Sequence, residues 1–107
     1  MLNQIILSGN LGADPEVYYS SEGKPITTFN LAFQSSREQT NWIKIASFNR
    51  LAEIVPEHLK KGSRVVVLGV LDQQTWQSKE GGQRTSYQVI ANSIEFVSAA
   101  GQRNQDK

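Results

Sequence analysis

The 107-residue chain predicts an all-β fold. Three observations predict it. Apolar and polar side chains alternate with period two through residues 25–34 and 41–48. A β-branched run, Val65-Val66-Val67, opens another extended segment at Arg64. Turn-forming clusters separate the extended pieces: Gly12-Ala13-Asp14-Pro15, Ser21-Glu22-Gly23-Lys24 and the paired glycines Gly81-Gly82.

Residues 2–11 read as the first strand, with Ile5 and Leu7 on one face and Gly9 allowing a bend. Residues 16–20 form a short extended piece before the turn at 21–24. In 25–34, Phe29, Leu31 and Phe33 share one face, and Thr28, Asn30 and Ala32 the other. A polar connection, 35–40, leads into 41–48. One helix is expected at about 50–61, because Leu51, Ile54, Val55 and Leu59 recur at helical spacing. Gly62 stands where a C-terminal cap belongs. Pro56 removes a backbone donor inside that helix and is expected to kink or split it. Residues 64–71 form the fourth strand, with Val65, Val67, Gly69 and Leu71 inward. A loop at 77–84 precedes a final strand at 85–97. Five strands with one short helix between the third and fourth is the element order of an OB-fold barrel. The domain is expected to span 1–97, and the small, polar residues 98–107 to form a disordered tail.

Composition narrows the function. Hydrophobic content is 38% and charged content 20%, which suits one globular domain with a modest core. No apolar run approaches the ~18 residues of a membrane span, and the N-terminus lacks a secretory pattern. The expected location is cytoplasmic, with an organelle as the alternative. With no cysteine, disulfides, thiolate metal sites and cysteine nucleophiles are excluded. His58 is the single histidine, so no metal centre is expected. It reads as a surface or interface residue. Asp14 and Glu16 fit turn chemistry, Ser8 has no partner base, and no phosphate-cradling glycine loop is present. No cofactor and no catalysis are expected.

The most informative stretch is 41–48. Alternation puts Trp42, Lys44, Ala46 and Phe48 on one face and Ile43, Ile45 and Ser47 on the other, which suits a core. Two large aromatics flanking a cation have the chemistry of a platform for unpaired bases, where rings stack and the ammonium meets a phosphate. The same pattern also fits ordinary core aromatics. Trp76, ahead of a loop carrying Lys79 and Arg84, adds a second place of this kind. Bulk charge argues the other way. Without Arg103, Asp106 and Lys107 in the tail, the 11 Lys/Arg and 10 Asp/Glu become nine of each, whereas nucleic-acid binders usually show a basic surplus.

The run from Ile6 to Val17, ILSGNLGADPEV, resembles the opening of bacterial-type single-stranded DNA-binding proteins. So do WIKIASFNRLAEIV from Trp42 to Val55 and LKKGS from Leu59 to Ser63, in the same order and at similar spacing across residues 2–97. The resemblance implies an OB fold, homotetramers, and sequence-independent binding of single-stranded DNA without catalysis, in replication, recombination or repair. It implies stacking roles for Trp42, Phe48 and Trp76 and phosphate contacts for Lys44 and Arg50. Lys79 and Arg84 are further candidates, although loop cations beside Glu80 also serve solubility. Stacking and phosphate contacts do not by themselves discriminate against RNA.

The chain also departs from the family. Its connection at 35–40 is short and holds no aromatic, so a frequent stacking position is missing. Asp72, Gln74 and Thr75 stand where members often carry cations, and Tyr18 replaces a frequent arginine. Fewer phosphate contacts imply weaker binding and a shallower salt slope. The ending Gly101-Gln102-Arg103-Asn104-Gln105-Asp106-Lys107 has no acidic, Phe-containing tip, so recruitment through such a tip is not expected. Val66, Leu68 and Val70 face outward in this reading, as a subunit contact joined by Ile43 or as a surface covered by the helix or N-terminus. Two rival readings remain: a dimer of the primosomal-replication-protein type, and an OB assembly module that has lost nucleic-acid binding.

Overall fold

The computed structural model describes residues 1–98. Six strands and one helix follow in the order β1 (Ile5–Leu11), β2 (Glu16–Tyr19), β3 (Pro25–Gln34), β4 (Thr40–Phe48), α1 (Asn49–His58), β5 (Arg64–Gln77) and β6 (Gln83–Ser98). Hydrogen-bonded neighbours run β1-β5-β6-β4-β3-β2, all antiparallel except β4 with β6. A second pairing, β1 with β3 at Asn10–Ala32 and Leu11–Leu31, closes the sheet into a barrel. The predicted architecture holds, with the short piece at 16–20 promoted to the edge strand β2. The tail expected after Val97 lies outside the described residues except for Ser98, which ends β6.

Closure depends on Gly9. It directly precedes Asn10, where pairing passes from β5 to β3, and a Cβ on Gly9 would fall inside the contact distance of the Ala32 carbonyl oxygen. Glycine is the residue that lets two backbones approach this closely. Around the closure, Leu11, Phe29, Leu31, Ile45, Val65, Val67, Val89 and Ala91 form the core, and Val55 and Leu59 add the helix and its exit. Ile43 packs against this core, so it does not join an outer stripe. Leu71, expected inward, is exposed, because β5 has left the barrel by that point. The N-terminal strand starts at Ile5 instead of residue 2. The Asn3 side-chain amide replaces strand pairing there, donating to the Leu71 carbonyl and accepting from the Leu71 N–H, both at 2.9 Å.

α1 packs on β3, β4 and β2. It is shorter than expected: Leu59 is already extended, and Gly62 serves the following turn with φ 89° instead of capping the helix. Its N–H reaches the Leu11 carbonyl at 2.9 Å. Pro56 neither splits nor ends the helix. The carbonyl it orphans is that of Ala52, four residues back, and the Thr27 hydroxyl donates to it at 2.6 Å in the buried interior.

The largest correction concerns residues 72–87. The predicted loop at 77–84 shrinks to the turn Ser78–Gly82, closed by Ser78 N–H to the Gly82 carbonyl. β5 and β6 pair without interruption from Leu71–Val89 to Gln77–Gln83. Beyond Gln88, among the described residues, the two strands pair only with each other, so they form a two-stranded arm. Apart from Trp76 and Tyr87, one on each face, its residues are polar, which leaves no alternation of hydrophobicity to read.

Candidate nucleic-acid interface

β4 is paired on both sides, with β3 along its whole length and with β6 at Lys44–Ala46. The expected division of its faces is observed. Trp42, Lys44 and Phe48 are exposed, while Ile45 and Ser47 are buried. Ala46, on the outer face by parity, is nonetheless buried beside its neighbours Thr28 and Ile90.

Trp42 is 59% exposed, yet one part of its ring is braced. A Cβ on Gly12 would lie 2.8 Å from Trp42 Cη2 and nearer still to Cζ3, so the indole rests against bare backbone. Gly12 is itself held, its N–H donating to the Asn30 carbonyl at 3.0 Å. The connection that follows is pinned by Asp14, whose Oδ1 accepts the Lys61 N–H at 2.8 Å. The carboxylate thus ties this turn to the segment after α1, a long-range bond in place of the local turn chemistry expected of it.

Phe48, 40% exposed, ends the strand as the N-cap of α1. Asn49 takes a left-handed φ of 58°, a conformation Asn tolerates better than most residues, and this turns the chain abruptly into the helix. Arg50 therefore leaves the sheet and lies exposed on the first turn of α1.

Register aligns the rest of the face. Asp72, Gln88, Lys44 and Asn30 form one row across β5, β6, β4 and β3. Gln88 Nε2 donates to Asp72 Oδ2 at 3.1 Å, so that carboxylate is engaged within the row. Two steps further along the same side of the β5–β6 ladder, Trp76 (51% exposed) and Arg84 stand directly opposite each other. The Arg84 guanidinium lies 3.9 Å from Glu80 Oε1, both groups well exposed, an arrangement that contributes little in water. Lys79 lies in the turn at the tip of the arm, off the ladder. The fold thus gathers Trp42, Lys44 and Phe48 on one strand, extends their side of the sheet to Trp76 and Arg84, and sets Arg50 and Lys79 at its margins.

In the sequence, Tyr18 stands out only where the family often has an arginine. By register it pairs with Ile26, which pairs with Phe48, so Tyr18 belongs to the same face. The usable signal was the short turn 20–24, which folds 16–19 back on β3. His58, as expected, is a surface residue, with its ring 5.4 Å from that of Phe96.

Among the described residues no cluster of three His, Cys, Asp or Glu could hold a metal, and no helix is long and apolar enough to cross a membrane. Residues 2–97 match the model of the Single-strand binding protein family. Among curated relatives, Single-stranded DNA-binding protein 1 of Xylella fastidiosa (strain 9a5c) is 35% identical over 97% of this chain and 83% of its own length. The Single-stranded DNA-binding protein of Neisseria meningitidis, from the serogroup A strain Z2491 and the serogroup B strain MC58, is also 35% identical over 98% of this chain. The chain spans 63% of the length of those Neisseria relatives. The match over nearly the whole chain, on a closed barrel with the expected element order, shows that this chain belongs to the single-strand binding protein family.

Proposed function

We propose that this protein binds single-stranded DNA without sequence preference along the outer face of β4 and its continuation into the β5–β6 arm. The observation that carries the reading is the exposure of Trp42, Lys44 and Phe48 on one strand face of a barrel of this family. Every base has a π-face, so stacking on Trp42, Phe48 and Trp76 anchors a strand of any sequence at about 1–3 kcal/mol per base. Lys44, Arg50, Lys79 and Arg84 neutralise phosphates and release counterions. Such a protein protects exposed strands during replication, recombination or repair in the cytoplasm, and no bond is made or broken.

The assembly proposed is a homotetramer. Ile6, 62% exposed, stands directly opposite Leu68 on the outer side of the β1–β5 pair, with Val66 and Val70 flanking it half-buried. A second copy would cover this stripe, as exposed apolar patches of this kind commonly mark contacts.

The test is binding of labelled oligo-dT and of a mixed-sequence strand, each against the duplex of equal length, with solution mass measured in parallel. The reading expects similar affinity for both single strands, much weaker duplex binding and a tetrameric mass. Equal affinity for duplex would overturn it. A dimeric mass with intact single-strand binding would replace the tetramer by the primosomal type of assembly.

A further inference from the structure

Tyr18 offers a contact that the family pattern does not supply. All four residues of β2 are exposed at the sheet edge, and alternation divides them. Val17 pairs with Thr27, whose hydroxyl points to the helix, so Val17 and Tyr19 take the helix side. Glu16 and Tyr18 take the side of Lys44 and Phe48. Tyr18 and Phe48 stand on one row with Ile26 between them, two strand spacings apart, or about 9–10 Å.

The Tyr18 ring is oriented as well as exposed. Its hydroxyl donates to Glu16 Oε1 and accepts from Thr28 Oγ1, both at 3.3 Å. Thr28 lies toward the Lys44 row, so the ring leans across the sheet face while remaining 46% exposed. It helps to wall a cleft of about 220 Å³ bordered by Asp14, Glu16, Asn30 and Lys44. That volume is several times the ~30 Å³ share of a water molecule. Two carboxylates at its rim make it a poor seat for phosphate, whereas a flat, neutral base suits it. An exposed tyrosine on an edge strand is otherwise a liability for association.

We infer that Tyr18 is a fourth base-stacking platform, continuing the strand's path from Phe48 over Ile26 to the β2 edge, with Lys44, across the cleft on the Asn30 row, free to meet a neighbouring phosphate. The inference rests on reading the β4 face as the single-strand interface. It also gives the missing cation a meaning: a salt-sensitive contact is replaced by one that salt does not weaken.

Oligo-dT titrations across a salt series, read by tryptophan quenching, test it in wild type, Tyr18→Phe and Tyr18→Ala. Tyr18→Phe keeps the ring and should bind within about twofold of wild type. Tyr18→Ala should bind about five- to tenfold more weakly at every salt concentration, with an unchanged salt slope. In wild type, irradiation with a bromodeoxyuridine oligonucleotide should leave an adduct on the peptide containing Tyr18. Wild-type affinity in Tyr18→Ala overturns the inference, as does equal weakening in Tyr18→Phe, which would assign the effect to the hydroxyl. Should Tyr18→Ala not fold, crosslinks that form on Trp42 or Phe48 but never on Tyr18 overturn it. Absence of quenching in wild type would instead remove the underlying interface.

Discussion

The barrel and the arm present the same kinds of side chain on very different supports. Trp42 stands on a strand paired on both sides and rests against Gly12, itself bonded to Asn30. Trp76 stands on a two-stranded ribbon, two residues from its turn, with polar residues on both faces. A two-stranded ribbon is only marginally stable by itself, and regions with few buried apolar contacts open locally at little cost. The barrel therefore offers a preorganised stacking surface, whereas the arm has to be ordered when a strand lies against it. An anchor and a flexible flap follow from the same chain because apolar burial stops near Leu71.

Substitutions should separate the two regions sharply, beginning with stability. Gly9→Ala forces a Cβ into the Ala32 carbonyl at the barrel seam and is expected to cost about 3 kcal/mol or prevent folding, read by denaturant midpoint. Thr27→Val and Thr75→Val make a matched pair. The first leaves the Ala52 carbonyl buried without a donor and should cost about 1–3 kcal/mol, whereas the second, on the exposed arm, should stay within about 0.5 kcal/mol. Equal costs would mean that the arm is integral to the core.

Binding comes next in size. Trp42→Ala should weaken oligo-dT binding toward the upper part of the stacking range, about 1–3 kcal/mol, and Trp76→Ala by about 1 kcal/mol, since ordering the arm offsets part of its contact. A larger loss at Trp76 would reverse the assignment of anchor and flap. The smallest effect concerns salt. Four candidate cations per protomer at about −0.7 each predict a slope of log K against log salt near −3, and Lys44→Gln should flatten it by about 0.7.

Much of the barrel was legible because its strands alternate: the inward placement of Phe29, Leu31, Ile45, Val65 and Val67 follows from period two. Trp42, Lys44 and Phe48 were legible as one face for the same reason. Other features depend on partners distant in the chain. Nothing local indicates that Thr27 satisfies the carbonyl freed by Pro56, or that the Trp42 ring rests on Gly12. The tip of the arm reads as a loop in the sequence because Gln73, Thr75 and Gln77 lie opposite Tyr87, Thr85 and Gln83 without a core to impose alternation. Tyr18 was hidden for a related reason, since its neighbours on the face, Ile26 and Phe48, come from two other strands.

The most direct test of the account uses the two tryptophans separately. In Trp76→Phe only Trp42 emits, and binding is followed independently by the anisotropy of a labelled oligo-dT. The account predicts strong quenching of Trp42 as the strand binds at low salt, reversed as salt rises. Full binding with unchanged Trp42 emission would contradict it, because the braced face of β4 would then lie outside the interface.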